Sequence, residues 1–342
     1  MTIPRPEAEG APTLRRTRTG LFLTLLSIAL VAAAIIALLL GRYPKPGFTD
    51  PRSLLSDPLA GQIFFRLRMP RVFLSILLGM TLATSGAVFQ LIFSNPLVEP
   101  GFLGVTQGAA FGAVLAILLF GGSLPAIQLS AALCGILGLG LAYLLAKKIR
   151  FGGWILRLIL SGLAVSALFT AGIGIFKYAA DPLTQLPEIT FWLLGGLSHI
   201  SWGELLWVFP IACSGLALLL LFRWRVNLLT LSDETAFALG TTPERVRLVL
   251  IVAATLSVAA VISVSGIVLW LGLIVPHLAR RIFGADARYS LPGSLLIGGG
   301  FGLVCDTLAR MLLPGEIPLG ILSSLLGAIL FGIILTRKGF RQ

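Results

Sequence analysis

Residues 20–41 read GLFLTLLSIALVAAAIIALLLG. The apolar stretch is about 20 residues, too long for the core of a signal peptide and long enough to cross a bilayer. Its far end, Leu40-Gly41-Arg42-Tyr43, has no A-x-A-like cleavage site. The stretch therefore predicts a membrane helix. Similar windows follow at 72–93, 103–120, 124–146 and 155–177, and then at 203–222, 246–265, 267–283, 291–313 and 318–335. The expected fold is an all-α integral membrane protein of about ten transmembrane helices. A tail at 1–19 precedes a single domain at 20–337, and a second tail follows at 338–342. The least defined break lies near Ser265-Gly266.

Composition agrees. Of 342 residues, 57% are apolar and 12% charged, and the mean hydropathy is +0.98. A water-soluble chain of this kind would expose large adhesive patches, whereas lipid solvates them. The net charge of +12 is no sign of nucleic-acid binding, because the basic residues sit in short connections between apolar runs. Cys134, Cys213 and Cys305 are dispersed singly in apolar runs, and His199 and His277 have no ligand-spaced companions. Neither set predicts a disulfide framework or a metal site.

Ten spans put both termini on one side. With the termini inside, 18 of the 26 basic residues face the cytoplasm, as the positive-inside rule requires. Among the eight exceptions, Arg66, Arg68 and Arg71 cluster just before the second span. They read either as headgroup anchors or as a docking patch for an acidic soluble partner outside. A shift of 180 residues lays Ser85-Gly86 on Ser265-Gly266, Val88 on Val268, Pro96 on Pro276 and Gly104 on Gly284. The second and seventh spans are five crossings apart and run in opposite directions, so the expected architecture includes an inverted internal repeat.

The motifs Arg68-Met-Pro-Arg71, Ser85-Gly-Ala-Val-Phe-Gln90, Asn95-Pro-Leu-Val-Glu-Pro-Gly-Phe-Leu-Gly104 and Gly108-Ala109 stand in that order. Trp192-Leu-Leu-Gly195-Gly196, Leu231-Ser-Asp-Glu-Thr-Ala236, Leu239-Gly240 and Gly272-Leu-Ile-Val-Pro-His277 follow. Leu291-Pro-Gly-Ser294, Asp306 with Arg310, and Glu316-Ile-Pro-Leu-Gly320 complete the series. In order and spacing this series resembles the FecCD-type permeases of ABC importers, which carry iron-siderophores, haem and cobalamin. Leu269-Trp270 replaces the usual Gly-Phe, and Asp286-Ala287-Arg288 the usual Asp-His-Arg.

The resemblance implies a homodimeric permease in a bacterial or archaeal inner membrane. Two ATPase subunits would bind inside and a substrate-binding protein outside. This chain would bind no cofactor, ATP and magnesium being used by the partner ATPase. Independently, the chain has no G-x-x-x-x-G-K-[ST] phosphate loop, so any ATP-driven transport needs another chain. The resemblance assigns ATPase coupling to the loop at about 228–247, through Ser232, Asp233, Glu234, Ala236, Leu239 and Gly240. The residues fit a capped helix start, with Ser232 as cap and acids at the positive helix end. It assigns binding-protein docking to Arg68, Arg71 and Arg310, although Asp306 four residues before Arg310 also allows an intrahelical pair. It places a gate residue at Asn95, and Ile159 near the partner gate position. His277 reads as a helix-end residue at the interface.

An ion-coupled secondary transporter would need acids within the spans, and only Asp306 near an outer end and Glu99 at an inner turn come close. An intramembrane enzyme is disfavoured, because neither H-E-x-x-H nor G-x-S-x-G occurs. The expected cargo is a metal chelate, with molybdate or tungstate as the alternative on the same scaffold.

Overall fold

A computed structural model describes residues 11–43 and 45–336. Each of the ten expected spans finds a helix. These are α1 (Ala11–Leu39), α2 (Met69–Ile92), α3 (Val105–Leu119), α4 (Leu124–Lys148), α5 (Trp154–Ala179), α7 (Trp202–Leu221), α10 (Pro243–Ser265), α11 (Leu271–Phe283), α12 (Ala287–Met311) and α13 (Leu319–Thr336). Between them lie α6 (Gln185–Leu194), α8 (Arg223–Leu228) and α9 (Asp233–Ala238). A two-residue ribbon pairs Leu40–Gly41 with Gly47–Phe48, and short helical turns lead from Ser53 into α2. The backbone of α1 begins inside the expected N-terminal tail. Residues 1–10, and the tail at 338–342, lie outside the described residues.

Eight of the helices are long and apolar enough to cross a membrane. The other two, α3 with 15 residues and α11 with 13, are shorter than the expected spans. At about 1.5 Å per residue they extend roughly 20 Å, against a hydrocarbon core of about 30 Å. Each is preceded by a backbone break. Gly104 enters α3 with φ 82°, and α10 ends at Gly266 with φ 67°. Trp270, at φ 75°, starts α11 in the left-handed region that a bulky side chain avoids. The two breaks touch, since Pro100 packs on Gly272 and the Glu99 carboxylate accepts from the Trp270 backbone N–H.

Pro276 has no N–H, so the Gly272 carbonyl loses its helical partner. Gln90 of α2 answers this. Its amide donates to the Leu273 carbonyl at 3.0 Å and the Gly272 carbonyl at 3.4 Å, and its oxygen accepts from Arg280 at 2.6 Å. Buried backbone in lipid must be satisfied internally, and one side chain does this while tying α2 to α11.

The bundle is built around α2 and α10, which are buried over most of their surface. By contrast α1, α4, α5 and α13 present rows of leucine and isoleucine outward, such as Leu21, Leu25 and Ile28 on α1. No soluble core covers them, and lipid is the solvent that suits them. Along α2 and α12 the backbones meet at a seam of small residues. A Cβ on Gly79 would strike the Gly298 carbonyl, one on Gly298 the Gly79 carbonyl, and one on Gly302 the Ser75 carbonyl. Without a hydrophobic force between helices in lipid, such close approach is what holds them together. Gly298→Val is therefore expected to cost about 1–3 kcal/mol or more through overpacking. The check is a lower midpoint of thermal unfolding in detergent, and a midpoint equal to wild type would refute the seam.

The register of the 180-residue shift does not join equivalent points. Ser85-Gly86 lies inside α2, whereas Ser265-Gly266 ends α10. Apolar helices rich in small residues match by composition as easily as by descent. The pattern of long helix, break and short helix does recur in opposite directions, in α2–α3 and in α10–α11.

The helices define two ends. One carries both described chain ends, the connections 149–153, 222–242 and 284–286, and the helix ends beside them, which hold Lys147, Lys148, Arg157, Arg245, Arg247, Arg280, Arg281 and Arg288; we call it the basic end. The other, the far end, carries 40–68, 180–201 and 312–318.

Candidate functional site: the far mouth and the helix at the basic end

At the far end, residues distant in sequence converge on one ion-pair network. Arg71, in the first turn of α2, donates through Nε to Asp306 at 2.7 Å and through Nη1 to Glu316 at 2.6 Å. Arg310 lies 3.2 Å from the other oxygen of Asp306, forming the expected i,i+4 pair, and donates to the Ala37 carbonyl at 3.1 Å. Arg68 donates to the Thr49 hydroxyl at 2.9 Å and the Tyr43 carbonyl at 3.2 Å. Arg42 donates to the Met311 carbonyl at 3.1 Å. All four arginines and Glu316 line one pocket of about 230 Å³. Asp306 is fully buried, so its charge is sustained only by the two guanidinium groups beside it.

The three arginines expected to dock a partner thus share a pocket, but each already has an internal acceptor. A visiting carboxylate would have to exchange with Asp306, Glu316 or a carbonyl. Arg66, the third member of the sequence cluster, is exposed and stands outside the network. Arg42 and Glu316 were not singled out as functional by sequence reasoning. Glu316 opens the quoted Glu316-to-Gly320 motif, but its pairing with Arg71, like that of Arg42 with Met311, joins segments far apart in sequence.

Next to this pocket, and sharing Arg71 and Glu316 with it, is a cavity of about 550 Å³. Leu124, Ile127, Phe191, Trp192 and Leu319 supply apolar walls, and Gln128, Glu188, His199, Ser263 and Ser265 supply the polar groups. The Trp192-to-Gly196 motif explains its shape. Gly195, at φ 70°, ends α6 against the Ile267 carbonyl. Gly196 N–H donates to the Ser265 carbonyl and Leu319 N–H to the Gly195 carbonyl, each at 2.8 Å. Three chain segments are thereby knitted into one wall by backbone alone.

At the basic end α9 stands out from the bundle. Ser232 caps it, accepting from Thr235 N–H at 3.3 Å. Asp233 is held by both arms of Arg247 on α10, at 2.7 and 3.0 Å. Ala236 is fully buried, while Phe237 and Leu239 are 68% and 57% exposed. Gly240, at φ 79°, turns the chain back with its N–H on the Phe237 carbonyl at 2.9 Å. The result is a short rigid helix fixed on one side and offering Glu234, Phe237 and Leu239 on the other. Sequence reasoning passed over Phe237; an aromatic in a polar loop was the available signal.

Asn95 spends its side-chain oxygen on the Leu97 N–H at 2.9 Å, closing the turn after α2. Ile159 is half-buried in the second turn of α5, against the cluster that contains Phe93, Leu103 and Leu158. His277 contacts its own helix at the Leu273 carbonyl, 2.8 Å away. Among the described residues, no group of three or more His, Cys, Asp or Glu is placed to hold a metal ion.

The profile of the FecCD transport family matches residues 28–337. The chain belongs to that family. It is 40% identical over 329 residues to the molybdate import system permease protein MolB of Haemophilus influenzae, covering 93% of this chain and 96% of the relative. It is 35% identical over 327 residues to the hemin transport system permease protein HmuU of Yersinia pestis, covering 94% and 97%. A solved metal-chelate type ABC transporter in an inward-facing conformation superposes with a TM-score of 0.85. It shares 39% identity, covering 92% of this chain and 98% of that one.

A FecCD permease is a multi-pass subunit of an ABC importer. It is a transport component that works with ATPase and substrate-binding partners. In that setting the two ends of this permease have complementary chemistry. The far mouth is a cation-lined pocket beside an apolar cavity, and the basic end is a rigid, exposed helix.

Proposed function

We propose that this permease imports a metal chelate, such as a ferric siderophore, haem or cobalamin, by alternating access as a homodimer. The basic end faces the cytoplasm, in keeping with the distribution of arginine and lysine. The observation that carries the cargo assignment is the 550 Å³ cavity. Its walls are largely apolar with a few convergent polar groups, the pattern of sites for organic ligands of about 300–1,000 Å³. Phe191 on its rim is 69% exposed, a side that a second copy would cover. In the cycle, ATP binding closes the ATPase pair, α9 and the loop around it move, and the path switches between outward- and inward-open states. Asn95 and Ile159 form the inner gate. Arg68, Arg71 and Arg310 receive acidic side chains of the binding protein.

A tetrahedral metal oxyanion is the second reading. It is favoured by the 40% identity to MolB and by the four arginines around the far pocket. The test is uptake into proteoliposomes holding permease, ATPase and binding protein, with iron-siderophore, haem, cobalamin and molybdate compared in parallel. Native mass spectrometry of the binding protein identifies its ligand. ATP-dependent accumulation of a chelate supports the first reading. Accumulation of molybdate alone replaces it with the second, and uptake abolished by an uncoupler while ATP is replete would reject both.

A further inference from the structure

Asn227 of α8 spends both ends of its carboxamide on the start of α12. Its Nδ2 donates to Asp286 Oδ1 at 2.7 Å, and its Oδ1 accepts from the Ala287 N–H at 2.7 Å. Asp286 is the N-cap of α12, accepting from the Arg288 N–H at 2.9 Å and pairing with the Arg288 guanidinium. Burial opposes its ionisation, but the Arg288 side chain and backbone and the Asn227 amide hold its carboxyl down at about 2. Arg288 also stacks over Trp224 of α8, 5.0 Å from the ring centre. Beneath these contacts Val226, Leu229, Val246, Leu250, Ala287 and Leu291 pack into one buried cluster.

From this joint α12 runs 25 residues, with Pro292 in its second turn leaving the Arg288 carbonyl without its helical N–H partner, about 37 Å at 1.5 Å per residue. Its glycines ride on the α2 backbone, and its last turns carry Asp306 and Arg310, which engage Arg71 at the start of α2. The α8–α9 segment is thus fastened to two rods, to α10 by Asp233–Arg247 and to α12 by Asn227–Asp286. Only the second rod carries the ion pairs of the far pocket.

We infer that Asn227 is the positioning residue that passes movement of the α8–α9 segment into α12, and so sets the arginine pocket at the far end. The inference rests on the proposed coupling role of that segment. Two rigid attachments and a two-ended rod are the physical elements such coupling requires.

The test uses the full permease–ATPase complex in lipid nanodiscs, with Cys134, Cys213 and Cys305 replaced by alanine and a nitroxide on Met311→Cys beside the pocket. Trapping with Mg-ATP and vanadate should shift the spectrum of the label. Asn227→Ala should keep assembly, thermal midpoint and basal ATP hydrolysis, yet reduce the coupling by at least about tenfold, within the usual 5–150-fold range for linked sites. Asn227→Asp keeps the acceptor for the Ala287 N–H but sets a carboxylate oxygen against Asp286 Oδ1 in place of the amide donor, and should lose the shift as Asn227→Ala does. A purely structural cap would lower the thermal midpoint and leave the label's response intact. A response in Asn227→Ala or Asn227→Asp equal to that of the parent overturns the joint. A parent complex whose label ignores nucleotide overturns the coupling role together with the joint.

Discussion

Asp306→Ala is expected to destabilise the permease by about 3–5 kcal/mol, the cost of stranding charges in a buried ion-pair network. Asp306 is fully buried between Arg71 at 2.7 Å and Arg310 at 3.2 Å, and both guanidinium side chains are 9% exposed. Removing the carboxylate leaves two largely buried cations facing each other with little water to screen them. Glu316, which is 44% exposed, pairs directly with Arg71 and not with Arg310. The measurement is the thermal unfolding midpoint in detergent, together with the monodisperse yield. A triple replacement, Arg71→Met, Asp306→Leu and Arg310→Met, should recover much of the loss, because a well-packed apolar set often matches a buried ionic one. The same variant removes two of the three arginines assigned to docking. If it folds and still responds to the binding protein, docking lies elsewhere; if Asp306→Ala melts with wild type, the network is not structural.

The second large effect lies at the opposite end. With Asp233 and Glu234 both replaced by lysine, uptake should fall on the order of 100-fold, toward the upper end of typical coupling energies. Two causes combine. At position 233 a cation would oppose Arg247 in place of the present two-armed pair, freeing α9 from α10. Lysines in the first turn also meet the positive end of the helix, which favours acids. Glu234→Lys alone leaves the Asp233–Arg247 pair in place, so it should reduce uptake without loosening the fold. Uptake and ATP hydrolysis are measured together in proteoliposomes, with membrane insertion checked by fractionation. Normal uptake in the double variant would remove α9 from the coupling role.

Parts of this molecule were open to sequence reading because they are local. The run 20–41 announces a membrane helix by length and hydropathy alone, and nine further windows do the same. Ser232 caps α9 as expected, since capping needs only four consecutive residues and their backbone. The Asp306–Arg310 pair was likewise visible in a spacing of four. The lengths of α3 and α11 were not, because apolar windows do not register a backbone break that is itself buried among helices. Gly104 and Gly266 mark those breaks, yet glycine also marks close packing, as at Gly79 and Gly298, and composition does not separate the two.

What the sequence by itself determined is the lipid-solvated bundle, the order of its helices and the short capped helix between α7 and α10. Each follows from forces acting over one or two helical turns. Only the tertiary structure decided which charges meet. Arg71 finds Asp306 across 235 residues and Asn227 finds Asp286 across 59. In a medium that solvates no isolated charge, those meetings are enforced by the cost of leaving either partner alone. That cost depends on where the folded helices place each group, which no local window contains.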